Sequence, residues 1–155
     1  MLYKLKGLQY ICRKIKNMFS SIVTTHSYVR YALLAMLAFS FFNALYKDFS
    51  KKPFIKSDGI INRIALSLMH IQALIGLILY FQSRNVSFVS GFMKNAVYRY
   101  YTVEHITLML AAVIVATIGI AKSKRKPIGK QHRTVWIFEL ITIALIAVSL
   151  LAMPI

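Results

Sequence analysis

Four apolar stretches of about twenty residues each, at roughly 24–46, 60–82, 101–121 and 134–153, divide this chain, and strongly basic segments separate them. A helix rises about 1.5 Å per residue and a bilayer's hydrocarbon core is about 30 Å thick, so each stretch is long enough to cross a membrane. A 155-residue chain folded in water could not hide four such segments. Short connections force neighbouring helices to run antiparallel. The predicted fold is all-α, an integral-membrane bundle of four transmembrane helices running up, down, up and down.

Charge supports the same reading. The chain carries 20 Lys+Arg against 4 Asp+Glu, a formal net charge of +16. In water such a balance would point to nucleic acid. Here the basic side chains lie almost entirely between the apolar segments, where lipid headgroups and membrane orientation account for them. The lipid bilayer is therefore the expected partner and nucleic acid is not. The single Cys12 excludes an intrachain disulfide, a CxxC redox pair and a thiolate metal site. The chain contains no Gly-rich phosphate loop, HExxH or GxSxG motif, and its few acids disfavour a hydrolase dyad or a cation pump.

Orientation follows from counting basic residues on alternate sides. The first loop carries Lys47, Lys51, Lys52, Lys56 and Arg63, and the third Lys122, Lys124, Arg125, Lys126, Lys130 and Arg133, eleven on one side. The second loop has Arg84, Lys94 and Arg99, and the N-terminal tail Lys4, Lys6, Arg13, Lys14 and Lys16, eight on the other. The first and third loops are thus expected in the cytoplasm, with both termini outside. Residues 1–20 form a basic tail before the four-helix domain of residues 21–155. Leu5, Leu8, Cys12, Ile15 and Phe19 share one helical stripe there, as a helix lying on the membrane surface would require. Alternatively, Met18 is the natural start, and without residues 1–17 the basic count becomes eleven against three.

Thr24 and Thr25 read as N-caps of the first helix. Ala32, Ala35, Gly76, Ala112, Ala116 and Gly119 are small enough for close helix approach. The second loop, Ser83 to about Tyr100, carries Phe88, Phe92, Tyr98 and Tyr100, aromatics suited to an interfacial belt or a contact surface.

Polar groups inside a membrane are costly and become site hypotheses by default. His26 begins the first helix and His105 lies near the start of the third, each one or two turns into its segment. These helices run in the same direction and are diagonal across the core, so two imidazoles at similar depth could ligate a haem iron from both sides. His70 lies midway along the second helix, about 15 Å from each surface, and would replace one of the pair only if the helices are staggered. His132, within Lys130-Gln131-His132-Arg133, reads as a solvated headgroup contact. The competing reading makes all four histidines hydrogen-bonded interfacial residues.

Arg30 lies one turn deeper than His26 on the same face. It could neutralise an acidic group such as a haem propionate, or form a structural ion pair with Glu104 that ties the first helix to the third. Glu139, inside the fourth helix, could pair with Arg63 or take part in proton movement.

His26-Ser27-Tyr28-Val29-Arg30, Lys52-Pro53-Phe54-Ile55-Lys56-Ser57-Asp58, His70-Ile71-Gln72-Ala73-Leu74-Ile75-Gly76, Val103-Glu104-His105 and the basic run Lys122–Lys126 also carry a family likeness. Over about residues 18–153 the chain resembles a family of small four-helix membrane proteins from Bacteroidetes bacteria, often labelled cytochrome b or cytochrome b-like. It departs from larger cytochromes b, which pair histidines for two haems on the same helices. The resemblance implies haem b, with His26, His70 and His105 as first candidate ligands and Arg30 and Glu104 in support. It also implies a bacterial inner membrane with periplasmic termini, and one-electron transfer between a membrane quinol and an outer partner. That role is an electron carrier's rather than a stand-alone enzyme's. The other class in view is a haem-free structural or accessory subunit of a larger membrane complex. A transporter or channel is disfavoured by the short length and the absence of broken helices or inverted repeats, unless the chain forms a homo-oligomer.

Overall fold

A computed structural model of the chain describes residues 2–127 and 129–154; of residues 2–9 and of Cys12 it describes the backbone alone. Four long helices make the architecture: α1 (Leu2–Phe49), α2 (Lys56–Gln82), α3 (Ala96–Ser123) and α4 (Gln131–Leu151). All four are long and apolar enough to cross a membrane. Their outward faces carry exposed Phe39, Phe42, Leu74, Ile78, Ile114 and Leu140, as contact with lipid requires.

α1 packs on α2 and α4, and α3 packs on the same two helices, so α1 and α3 are diagonal as expected. Antiparallel pairing is legible in the cross-helix hydrogen bonds. Asn43 reaches Asp58 while Gln72 reaches His26, and Trp136 Nε1 donates to Asp48 Oδ2 at 2.9 Å. Tyr80 OH donates to the Thr102 carbonyl at 3.1 Å, joining α2 to α3. The bundle therefore has a hairpin end, formed by the first and third loops, and a terminal end, formed by the second loop and the C-terminal residues.

The apolar core runs through Leu33, Leu37, Ala65, Met69, Ala112, Ala116 and Ile146. Its alanines, with Gly119, let α3 and α4 approach closely. A Cβ on Gly119 would lie 2.3 Å from Phe138 Cβ, so that position admits only glycine as packed. Ala32 and Ala35 face outward instead.

The tail is helically continuous with α1, and Thr24 and Thr25 are not caps. Their hydroxyls donate to the carbonyls of Ser20 and Ser21, one turn back, at 3.0 and 2.9 Å. No glycine or proline interrupts residues 8–49, so nothing in the backbone stops the helix. On the expected tail stripe, Ile15 is exposed and Phe19 half-buried, while the side chains of Leu5, Leu8 and Cys12 lie outside the described residues. α2 starts at a reverse cap, in which the Asp58 carboxylate accepts from the Ile55 N–H at 3.0 Å.

Candidate functional site

A cavity of about 670 Å³ opens between the helices in the terminal half of the bundle. That lies within the ~300–1,000 Å³ range of ligand and cofactor sites. Its wall includes His26, Arg30 and Leu33 of α1, His70 and Gly76 of α2, and His105 of α3. The depth arithmetic that pairs His26 with His105 thus brings both to one space.

His105 is the better prepared of the two. The π-helical turn at Tyr100–Glu104 places residues i and i+5 over one another, so Tyr100 and His105 leave α3 on the same side. Tyr100 OH spends its one hydrogen on the Ser149 carbonyl at 2.9 Å. Its oxygen, 3.3 Å from His105 Nδ1, can then only accept, and Ser149 Oγ lies 2.9 Å from the same nitrogen. His105 Nε2 has no hydrogen bond among the described residues, and in the tautomer in which Nδ1 donates to these oxygens it presents a free lone pair. A histidine held by its other nitrogen in this way is the usual arrangement of a metal ligand.

His26 is engaged differently. Gln72 Nε2 donates to the His26 carbonyl at 3.0 Å and lies 3.2 Å from the ring Nε2. His26 Nδ1 and Gln72 Oε1 are buried without a hydrogen-bond partner. Gly76 makes room for the ring, since a Cβ there would come within 3.2 Å of His26 Cε1. An imidazole with one orphaned nitrogen beside a large cavity is incompletely satisfied as it stands.

His70 lies on the cavity wall but is exposed, and its Nδ1 lies 2.8 Å from the Leu66 carbonyl one turn back. Arg30 and Glu104 do not pair. Glu104 accepts from Arg99 Nε at 2.7 Å, because the π turn brings this same-helix partner over it. Arg30 is left at the cavity wall with no carboxylate among the described residues, its guanidinium 4.9 Å above the Tyr31 ring. Arg63 donates to its own helix's Gly59 carbonyl at 3.1 Å rather than to Glu139.

The reading of His132 as a solvated headgroup contact is overturned. It is 1% exposed, stacked obliquely on Phe54, with Nε2 3.6 Å from Asp58 Oδ2. The physical reason is phase: α4 begins at Gln131, and His132, Val135, Glu139, Thr142, Ile146 and Ser149 form its inner face. Sequence reasoning also misses the cluster beneath them. Asp58, 1% exposed, accepts from Lys47 and, at 3.1 Å, from Asn43, closing the hairpin end. The spacing of the polar residues in α4 is the signal that could have found it.

Among the described residues no three His, Cys, Asp or Glu side chains converge on one point, so the cavity offers imidazoles in pairs at most. Comparisons with protein-family models, with curated proteins and with solved structures found no match.

Proposed function

We propose that this protein is a small b-type cytochrome of the cytochrome b-like kind, holding haem between α1 and α3 for one-electron transfer in a membrane. The observation that carries the reading is that histidines from two diagonal helices line one cavity of about 670 Å³. His105 offers its Nε2 lone pair while Ser149 and Tyr100 hold the ring in register. His26 would hold the group from the α1 side once its ring turned away from Gln72, a contact that leaves His26 Nδ1 and Gln72 Oε1 unpartnered. Arg30, on the cavity wall with no carboxylate partner among the described residues, would neutralise propionates there. Leu33, Met109 and Ile146 give the same cavity apolar walls, which would shield a bound haem from water. Bound haem would supply a one-electron iron couple, which the surrounding ligands and polarity tune.

The natural donor is a membrane quinol or a respiratory-type membrane protein. The basic excess of the first and third loops argues that the hairpin end faces the cytoplasm of a bacterial inner membrane, with both termini periplasmic.

A second reading has one observation of its own. Gln72 already bonds His26 through both its ring and its carbonyl, as an interhelical tie in a haem-free accessory subunit would. The exposed Phe88, Val89 and Met93 of the second loop would then meet a partner protein.

Visible absorption of the detergent-purified protein, oxidised and then dithionite-reduced after expression with ample haem, separates the two. The expected result is a Soret band with a sharp reduced α-band, lost in H105A and H26A and kept in R125A, which alters only the third loop. A colourless, folded wild type would overturn the haem reading and leave the accessory subunit.

A further inference from the structure

Glu139 is 3% exposed on the inner face of α4, between the apolar core and the hairpin end. Its Oε1 lies 2.6 Å from Ser40 Oγ, and Ser40 Oγ lies 3.0 Å from Asn62 Oδ1. Both are hydrogen-bond distances, and each needs a hydrogen. The Ser40 hydroxyl carries one; an amide oxygen and an ionised carboxylate carry none. With the Asn62 amide turned as it is, the second hydrogen must come from Glu139 itself. The chain then runs one way, from the Glu139 O–H to Ser40 Oγ and from the Ser40 O–H to Asn62 Oδ1.

The other carboxyl oxygen points to the same state. Glu139 Oε2 is buried with no hydrogen-bond partner. A carboxylate would leave charge on that oxygen unmet in a low-dielectric core, whereas a neutral acid leaves only a carbonyl. Among the described residues no cation faces it from the helices packed around it. α1 offers Ser40, α2 Asn62 and Met69, and α3 Ala116 and Ile120, while Lys122 sits over the neighbouring Phe138 ring at 5.6 Å. Beside Glu139 lies a void of about 10 Å³, bordered by Leu37, Met69 and Val135. Apart from Glu139 its lining is apolar, so it offers a water too few polar partners to hydrate the carboxyl. Two turns toward the hairpin end on the same face stands His132, its Nε2 buried and unbonded 3.6 Å from Asp58 Oδ2.

We propose that Glu139 is a proton-binding site of the bundle core, its carboxyl held neutral and donating one exchangeable proton to Ser40 Oγ. Exchange replaces that proton with another from solvent when the bundle opens locally: the carboxyl O–H bond breaks as water takes the proton, and an O–H bond re-forms as water returns one. No electron moves and no co-reactant is needed, so the proposal stands with or without haem in the cavity.

Infrared spectroscopy of the full chain in detergent tests it directly, because only four side chains can contribute an Asp or Glu carboxyl band. At neutral pH the wild type should show the C=O band of a protonated acid, lost in E139Q and shifted on transfer to D2O. S40A, which removes the acceptor of the Glu139 proton without touching any charge, should move the band and keeps the test open if E139Q does not fold. The absence of an acid band in the wild type would overturn the proposal, and is the result if Asn62 donates to Ser40 and Glu139 is ionised. A band that survives E139Q, that stays unmoved in S40A, or that never shifts in D2O would overturn it equally.

Discussion

The two halves of the bundle solve the problem of polar groups in a membrane in opposite ways. In the hairpin half, helix meets helix without a large gap, and polar side chains close on one another: Lys47, Asn43 and the Ile55 N–H on Asp58, Trp136 on Asp48, Ser40 on Glu139. In the terminal half the helices part around about 670 Å³, and the groups on its wall are underused. Arg30 has only a tyrosine, His105 keeps Nε2 open, and His26 Nδ1 has no partner. Each half leaves two buried polar atoms without a partner among the described residues, His132 Nε2 and Glu139 Oε2 in one and His26 Nδ1 and Gln72 Oε1 in the other. The halves therefore differ in packing and ion pairing: the tight half holds the bundle together, while the open half carries a cavity that stability alone does not explain.

That contrast can be broken most severely at Asp58. D58A strips the acceptor from Lys47, Asn43 and the start of α2, leaving a largely buried ammonium unpaired. A loss of about 3–5 kcal/mol is expected, read from denaturant or SDS unfolding of the detergent-solubilised protein. If D58A unfolds like wild type, the hairpin half is not the anchor.

A matched pair of alanines comes next. G119A drives a Cβ to 2.3 Å from Phe138 Cβ in the tight half and should destabilise by about 1–3 kcal/mol. G76A brings a Cβ only to 3.2 Å from a His26 ring that has the cavity to turn into, so its cost should stay below about 1 kcal/mol. Equal losses on thermal unfolding would erase the difference between the halves.

S149A sharpens the contrast within the open half. It removes the 2.9 Å partner of His105 Nδ1 at a stability cost of about 1 kcal/mol. On the haem reading it should also weaken haem binding roughly 10–100-fold, measured by titrating haem into the apoprotein. Unchanged affinity would remove Ser149 from the site.

The smallest effect belongs to the double variant T24A/T25A. A lost N-cap would cost about 1 kcal/mol, whereas these exposed hydroxyls back-bond to their own helix, so a change within about 0.5 kcal/mol is expected by unfolding monitored with circular dichroism.

Much of the candidate site is legible in the order of the residues. His26 and His105 line one cavity because both lie one or two turns inside the apolar segments of parallel-running helices, and depth along a straight helix is simple arithmetic. What sequence reasoning places wrongly are matters of rotation. It sets His132 at the surface, pairs Arg30 with Glu104 and offers Arg63 to Glu139. A soluble helix announces its inner face by alternating apolar and polar residues, but a helix in lipid is apolar on both faces, so that signal is weak.

The sequence by itself determined the number of helices, their membrane-crossing length and their alternating course, because hydrophobic length against bilayer thickness is local and one-dimensional. Only the tertiary structure decided which polar groups share an interior: the lock of Asp58 and Lys47, the chain from Glu139 through Ser40 to Asn62, and the pairing of Arg99 with Glu104. Those depend on helix phase and on a π turn that advances α3 by a residue. Neither is written in composition or spacing; both follow from how the four helices settle against one another.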